Sequence, residues 1–107
     1  MLIAVPVARS GTPYGQMPTN WSARNSTPAG WYETALCIHH REGAWNANTG
    51  NGYYGGLQFL LGTWHSVGGI QRPDLAAPRE QLYRAYLVWL RDGRSWVEWG
   101  TRGLCGA

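Results

Sequence analysis

The sequence contains no lysine, and its runs of apolar residues are all short. A helix needs about 20 consecutive apolar residues to cross a bilayer, and the 107 residues include no such run. The opening apolar stretch, residues 2–8, is interrupted by a proline and is too short for the core of a signal peptide. We therefore expect no membrane insertion, and no signal peptide is visible in this sequence.

The lack of lysine and the modest positive charge also restrict the classes of ligand. The Gly-rich segment 50–56 cannot form a phosphate-binding P-loop, because that loop requires a lysine. The net charge of +3 comes from nine arginines, and segment 43–71, which is rich in aromatic residues, contains none of them. A nucleic-acid-binding protein concentrates basic residues on one face. We therefore expect no nucleic-acid partner, and a neutral polymer is the better candidate.

No pattern typical of a metal or cofactor site is present. His39, His40 and Glu42 are close together, but a zinc-protease helix carries two histidines four positions apart. Adjacent histidines on a helix point about 100° apart, so they cannot share a metal in that way. We expect no metal and no cofactor.

The two cysteines, Cys37 and Cys105, are 68 positions apart. Metal sites made from cysteine use closely spaced pairs, which are absent from the sequence. Two alternatives remain, a disulfide or two buried thiols. We favour the disulfide, which would indicate an oxidising compartment or a location outside the cell.

The aromatic residues are the most distinctive part of the composition, with seven Trp and six Tyr but one Phe. Trp and Tyr combine an apolar body with a polar tip, which suits the wall of a partly hydrated groove. Flat aromatic faces with Asn, Gln and Thr among them match saccharide rings edged with hydroxyl groups. The composition therefore favours a sugar polymer as the ligand.

Turn signals and hydrophobic periodicity divide the chain into an arm and a mainly α (α+β) domain. Residues 1–26 are rich in Gly, Pro, Asn and Ser, which predicts an extended N-terminal arm or a linker. Residues 27–107 form the predicted domain. An Asn-Gly pair within 46–56 indicates a short β-hairpin or loop. The predicted helices run from Thr27-Pro28 to Glu42, over 57–67, and from 77–80 to Asp92.

Glu42 stands out among the six acidic residues because it ends the first predicted helix. The rest of its helical stripe is apolar and consists of Trp31, Ala35 and Ile38. A carboxylic acid in such a place can protonate the leaving oxygen of a glycosidic bond. Residues 43–73 contain no second acid, so a mechanism that needs a single carboxyl group is favoured.

The central motif resembles that of a known family. It reads Trp45-Asn-Ala-Asn-Thr-Gly-Asn-Gly-Tyr-Tyr-Gly-Gly-Leu-Gln-Phe59, followed by Gly62-Thr63-Trp64, Gly68-Gly69, Pro73-Asp74-Leu75-Ala76 and Arg79-Glu80-Gln81. Over about residues 29–105, these motifs and a cysteine near each end are similar to the transglycosylase-like domain of actinobacterial resuscitation-promoting factors. The resemblance implies a small lysozyme-like fold, peptidoglycan as the substrate and a helix-borne Glu as the general acid.

The position of that acid differs from the family pattern. In the resuscitation-promoting factors the acid directly follows the first cysteine, whereas here Ile38 follows Cys37. Glu42 comes four positions later, about one helical turn, and stays on nearly the same face. Its Glu-Gly-x-Trp setting also resembles that of broader lytic transglycosylases. We therefore assign the role of general acid to Glu42.

The resemblance also implies a partner, a location and a binding cleft. We expect a monomer that acts on the glycan strands of peptidoglycan, outside the cell or in the cell wall. Related domains occur in phage tail and lysin proteins, so a phage virion is a further location that the resemblance allows. The residues expected to line the cleft are Asn51, Tyr54, Gln58, Thr63 and Trp64.

The expected activity is that of a lytic transglycosylase with one catalytic Glu, which cleaves between N-acetylmuramic acid and N-acetylglucosamine. Two alternatives stay open. One is a muramidase-type hydrolase in which Asp74 activates water, and the other is a catalytically weak module that binds the cell wall. Activity on cell walls and the chemistry of the product distinguish the three.

Overall fold

A computed structural model describes residues 14–107, whose regular structure is mainly α-helical, as predicted. Three α-helices lie in this part of the chain: α1 Trp31–Glu42, α2 Leu61–Ser66 and α3 Pro78–Arg91. Two short 3₁₀ turns cover Pro73–Leu75 and Arg102–Cys105. Two isolated β-bridges pair Asn48 with Tyr54 and Tyr54 with Phe59. Over 14–107, no helix combines the length and the apolar character that crossing a membrane requires.

Helix α1 ends where the sequence predicts but begins later than Pro28. Gly30, directly before the helix, has a φ of +87°, a left-handed conformation that interrupts any helical path from Pro28. The hydroxyl group of Thr27 donates to the carbonyl of Ala23 (2.6 Å), so Thr27 is not the helix cap that we expected. The apolar stripe is buried as predicted, with exposed fractions of 3%, 0% and 0% for Trp31, Ala35 and Ile38.

In the turn-rich segment, residues 46–56, the β-bridges extend to Phe59, and this pairing shortens α2 relative to the predicted range 57–67. Tyr54 and Phe59 exchange both of their backbone hydrogen bonds (2.9 and 3.0 Å), so the chain at Phe59 is paired and not helical. Helix α2 therefore begins at Leu61. Helix α3 closely matches its prediction, with Pro78 in the first turn, where a missing N–H is tolerated.

A buried glutamine of α3 attaches the turn-rich segment to the helices. Gln81 is fully buried, and its Nε2 donates to the carbonyls of Trp45 and Ala76 (both 2.9 Å). Its Oε1 accepts from the N–H of Gly56 (2.8 Å). A side chain on Gly55 would overlap the Gln81 amide, and one on Gly56 would overlap the Trp45 indole. The two glycines therefore allow the segment to lie directly against α3 and Trp45.

Most of the tryptophans lie in the core and not along a groove, which corrects the expectation from composition. Five of the seven are at most 6% exposed, and the other two pack against this core. The indoles of Trp31 and Trp96 stack with their centroids 5.1 Å apart, and Trp21 meets Tyr83 edge-on at the same distance. Large rings bury much apolar area per residue, which a domain of about 100 residues needs in order to build a core.

Part of the predicted N-terminal arm packs on the helices. Trp21 is 6% exposed, and Arg79 of α3 donates to the carbonyls of Thr19 (2.6 Å) and Trp21 (2.8 Å). This part of the predicted arm is therefore attached to α3, because Trp21 supplies an apolar anchor within a segment rich in turn-forming residues. Residues 1–13 of the predicted arm lie outside the described residues.

The C-terminal segment, residues 96–105, is attached to the domain at two points. Cys105 forms the favoured disulfide with Cys37 of α1, with the Cα atoms 5.9 Å apart, and this confirms the prediction. Trp99 is buried, and its indole N–H donates to the carbonyl of Leu57 (2.9 Å). The segment therefore connects α1 with the end of the turn-rich segment.

Reduction of the Cys37–Cys105 disulfide is expected to lower the melting temperature by more than about 10 °C. Closing a loop of 68 positions stabilises the folded state by about 4 kcal/mol on entropic grounds. In a domain of this size, 1 kcal/mol corresponds to about 4–8 °C. Thermal unfolding followed by circular dichroism, with and without a phosphine reductant, measures the change.

The variant in which both cysteines are replaced by serine is the control, because it should match the reduced protein and ignore the reductant. Alkylation and mass spectrometry establish how many thiols are free in each sample. An unchanged melting temperature in fully reduced protein would contradict the prediction.

Candidate active site

Glu42 is the last residue of α1 and is half-buried where this helix meets the C-terminal segment. Its Oε2 accepts a hydrogen bond of 2.7 Å from the hydroxyl group of Thr101. Gly43 follows, and its N–H donates to the carbonyl of His39 (3.2 Å) in the last turn. The carboxyl group is therefore held at a hydrogen-bonded helix end and not on a frayed turn.

The other acidic residues are all paired with arginine. The pairs within 4 Å are Arg24 with Glu33, Arg72 with Asp74, Arg84 with Glu80, and Arg91 with both Asp92 and Glu98. A neighbouring guanidinium stabilises a carboxylate and opposes its protonation. For Glu42, residues 14–107 provide no such arginine. Among residues 14–107, Glu42 is therefore the acid that has no arginine partner.

Asp74, the base expected for the alternative hydrolase, is a structural ion-pair partner. Arg72 donates two hydrogen bonds to its carboxylate, at 3.1 and 3.0 Å. The hydrogen bond from Arg72 lowers the pKa of Asp74, although burial acts in the opposite direction. The pair stabilises the 3₁₀ turn before α3 and leaves little of Asp74 exposed, since its side chain is 5% accessible.

Two predicted cleft residues, Gln58 and Thr63, line one small cavity of about 50 Å³. Gln58 connects this cavity to the end of α1, because its Nε2 lies 3.6 Å from the place that a Cβ on Gly43 would occupy. The other lining residues are Tyr53, Phe59, Leu60, Glu98 and Trp99. We call this cavity, together with the end of α1, the candidate cleft.

The backbone of Gln58 adopts a conformation that is rare for residues with a side chain, with a φ of +49°. Both its N–H and its side-chain Nε2 donate to the carbonyl of Gly55, at 3.2 and 3.0 Å, and these bonds support the turn. Asn51, also predicted for the cleft, reaches Gln58 Oε1 from its Nδ2 at 3.4 Å. Backbone strain of this kind clusters at functional sites. The turn thus presents Gln58 and Asn51 together.

Trp64 and Tyr54, which the sequence predicts in the cleft, do not line it. Trp64 is 0% exposed and donates from its indole to the carbonyl of Ile70 (3.1 Å), so it is a core residue that a substrate cannot reach. The Arg72 guanidinium lies 5.7 Å from the Tyr54 ring centroid, and Tyr54 does not line the candidate cleft. Tyr53 lines it instead and is 44% exposed. Successive residues of an extended segment point in opposite directions, so one tyrosine of the pair faces the cleft.

His39, close to Glu42 in sequence, has a structural role. It is buried, its ring stacks on Trp45 with centroids 3.8 Å apart, and its Nδ1 donates to the carbonyl of Gly56 (2.9 Å). The imidazole therefore joins α1 to the turn-rich segment.

Glu98 lines the candidate cleft as a second carboxyl group, which sequence reasoning missed. A hydrogen bond with Asp92 and burial raise the pKa of Glu98, against the opposing effect of Arg91. Oδ2 of Asp92 is buried, and no donor group among residues 14–107 reaches it. A protonated Glu98 would offer this oxygen a donor, which is the physical cause of the raised pKa. No helical or strand periodicity pointed to Glu98, because it lies in an irregular segment.

A larger cavity, of about 820 Å³, does not include Glu42 in its lining. It lies mainly between residues 14–16 and 64–76. The acid in its lining, Glu80, is bound to Arg84 at 2.6 Å. Glu42 lines neither cavity, but Gln58 of the smaller one lies next to Gly43, so we assign the candidate chemistry to the end of α1 beside that cavity.

A small, mainly α-helical domain closed by a disulfide is consistent with the lysozyme-like fold that the sequence resemblance implies. The family model described as "Transglycosylase-like domain" matches residues 19–101. This match covers most of the chain, and the chain therefore belongs to the transglycosylase-like domain family.

Several curated relatives of the chain are resuscitation-promoting factors. Rpf of Micrococcus luteus is 42% identical over 77 residues, which are 72% of this chain and 33% of the relative. RpfE of Mycobacterium tuberculosis is 43% identical over 74 residues, or 68% of this chain and 42% of the relative. RpfC of the same species is 36% identical over 110 residues, or 98% of this chain and 74% of the relative. The chain spans less than half the length of the first two.

Glu98→Gln is expected to raise the melting temperature at pH 7 and to have no effect at pH 4. The pKa of Glu98 is raised in the folded protein, so the protonated side chain contributes to the free energy of unfolding. This contribution is complete below the usual glutamate pKa of 4.5. This contribution is lost as the pH rises through the folded-state pKa. A glutamine retains a hydrogen-bond donor for Asp92 at every pH. Thermal unfolding between pH 4 and pH 8 measures the difference.

Glu33→Gln is the control, because Glu33 is exposed and pairs with Arg24 on the surface. Its melting temperature should follow that of the wild type across the same pH range. A Glu98→Gln protein no more stable than the wild type at pH 7 would contradict the raised pKa of Glu98.

Proposed function

We propose that this domain is a lytic transglycosylase that cleaves peptidoglycan between N-acetylmuramic acid and N-acetylglucosamine, with Glu42 as its single catalytic acid. The family of the chain supports the class of reaction. The observation that carries the proposal is the setting of Glu42, a half-buried carboxyl group at the end of α1 that no arginine among residues 14–107 neutralises.

In this mechanism Glu42 acts first as an acid and then as a base. Its carboxylic acid protonates the glycosidic oxygen, and the bond between that oxygen and C1 of N-acetylmuramic acid breaks. The C6 hydroxyl oxygen of the same sugar bonds to C1, and its proton passes to the Glu42 carboxylate. No water is consumed, and the product carries a 1,6-anhydro ring. The substrate supplies the attacking hydroxyl group at high effective concentration, so a second carboxylate is not required.

The candidate cleft supplies groups that suit an amino sugar. Asn51, Gln58 and Thr63 offer amide and hydroxyl groups that both donate and accept hydrogen bonds, as N-acetyl and hydroxyl substituents require. Tyr53 and Leu60, which are 44% and 47% exposed, offer apolar surface for a sugar ring. Trp64 has no part in this binding because it is buried.

The disulfide supports a location outside the cytoplasm, because such bonds persist in oxidising compartments. In the proposed function the domain works on glycan strands in the cell wall, as a monomer and without a cofactor. If the domain belongs to a phage particle, its substrate is likewise the glycan of the cell wall.

A muramidase-type hydrolase is the second candidate, and the observation that favours it is the presence of Glu98 in the candidate cleft. A hydrolase needs a second carboxylate about 5–9.5 Å from the acid. Asp74 is bound by Arg72, so Glu98 replaces it as the candidate for that role. Because Asp92 raises the pKa of Glu98, the charged form that such a role needs is disfavoured. The transglycosylase therefore remains the preferred function.

Glu42→Gln is expected to reduce the release of fragments from purified peptidoglycan by at least roughly 100-fold. Glutamine keeps the shape of the side chain and still accepts the hydrogen bond from Thr101, but it cannot transfer a proton. Its melting temperature should therefore stay close to that of the wild type. Chromatography of the soluble fragments measures the activity.

Glu33→Gln is the matched control, since it makes the same change on an exposed turn of the same helix and should retain full activity. A Glu42→Gln protein with more than roughly a tenth of wild-type activity would exclude Glu42 as the acid. A wild-type protein that binds cell walls without releasing fragments would indicate the binding module.

The released fragments are expected to end in 1,6-anhydromuramic acid. Each is one water lighter than the hydrolysed equivalent and resists reduction by borohydride, because the anhydro ring has no free aldehyde. Mass spectrometry of the digest, before and after borohydride treatment, shows which end is present. A majority of reducing ends would establish hydrolysis, and the loss of those ends in Glu98→Gln but not in Asp74→Asn would identify the residue that activates water.

A further inference from the structure

Thr101 makes the hydrogen bond that the structure records at the Glu42 side chain. Its hydroxyl group donates to Glu42 Oε2 at 2.7 Å across 59 positions of sequence, and the contact is partly buried. No donor or acceptor from the rest of residues 14–107 meets the Glu42 carboxyl group. One carboxyl oxygen is therefore held, and the other is left for a ligand.

The hydroxyl group of Thr101 does not cap the 3₁₀ turn that follows it, although its position in the sequence would allow this. Thr101 directly precedes the 3₁₀ turn Arg102–Cys105, and a threonine at such a place commonly caps the turn through its side chain. Here no side-chain cap forms, and the hydroxyl group bonds to Glu42 instead. The side chain thus acts on the carboxyl group and not on its own turn.

The backbone is anchored both before and after Thr101. Two residues earlier, Trp99 is 5% exposed and bonds through its indole to the carbonyl of Leu57 (2.9 Å). Four residues later, Cys105 is bonded to Cys37, which lies on α1 a little more than one turn before Glu42. The hydroxyl group is therefore presented by backbone with little freedom to move, which lowers the entropic cost of keeping this hydrogen bond.

We propose that Thr101 is a positioning residue for Glu42, and this inference rests on the proposed function. By holding Oε2, Thr101 fixes the rotation of the carboxyl group and directs Oε1 to carry the proton that reaches the glycosidic oxygen. Once the proton has left, the same donated hydrogen bond stabilises the carboxylate that remains. Both effects act on the chemical step and leave the sugar-binding groups of the candidate cleft untouched.

The test compares Thr101→Val with Thr101→Ser on soluble, uncross-linked glycan strands. Valine has nearly the shape of threonine and lacks the hydroxyl group, so kcat should fall by roughly 10- to 100-fold while KM changes by less than about twofold. Serine keeps the hydroxyl group and should retain most of the activity. Should valine disturb folding, Thr101→Ala provides the same deletion with less bulk.

Thr27→Val is the matched control for lost stability. It also removes a partly buried hydroxyl donor, whose bond to the carbonyl of Ala23 is 2.6 Å long, but at a place away from Glu42. It should lower the melting temperature by a similar amount and leave kcat unchanged. A loss of kcat in Thr27→Val that matches the loss in Thr101→Val would reduce the role of Thr101 to general stability and overturn the proposal.

The two proposals fail in different ways. If Glu42→Gln is inactive while Thr101→Val keeps more than half of the wild-type kcat, the positioning role is wrong and the proposed function stands. An equal loss in Thr101→Ser and Thr101→Val also overturns the positioning role, because the hydroxyl group would then be irrelevant. If Glu42→Gln remains active, the proposed function fails and the role of Thr101 fails with it.

Discussion

A buried amide group, the side chain of Gln81, makes most of the side-chain hydrogen bonds by which the helices hold the segment that forms the candidate cleft. Its three hydrogen bonds satisfy backbone groups of Trp45, Gly56 and Ala76 inside the protein. A buried polar group left without a partner costs about 1–3 kcal/mol. With the backbone fixed at Gly56, the turn that follows brings Gln58 to the cleft and Phe59 into the core. A residue outside the cleft therefore helps to determine its shape.

The sequence predicts best those parts of the fold that neighbouring residues determine. Pro78 and the Asp92-Gly93 pair indicate the bounds of α3, and Gly43 indicates the end of α1. The start of α1 is predicted wrongly, because whether Gly30 adopts a left-handed conformation depends on packing that no local pattern records. Composition likewise shows that tryptophan can face a wet groove, but not that the core of so small a domain takes up five of the seven, with the other two packed against it.

In the candidate site, too, local sequence patterns indicate some residues, whereas others depend on tertiary contacts. Helical periodicity places Glu42 at the end of α1, and the family motif leads to Gln58 and Thr63, which line the same cavity. The roles of these three residues stay predictions. The choice between Tyr53 and Tyr54 depends on the register of one bridged pair, where a shift of a single residue exchanges the two faces. Thr101 and Glu98 lie in an irregular segment and reach the cleft only through tertiary contacts, so neither periodicity nor spacing could indicate them.

The two links from α1 to the C-terminal segment span 59 and 68 positions of the chain. Contacts at such separations require the closure of a long loop, and they form more slowly than the turns of a helix. A chain is synthesised from its N-terminus, so α1 and the strained turn at Gln58 are made before Thr101 and Cys105. A nascent chain therefore carries Glu42 without its hydrogen-bond partner. The order of biosynthesis and the oxidation of two thiols thus determine when the carboxyl group acquires its final surroundings.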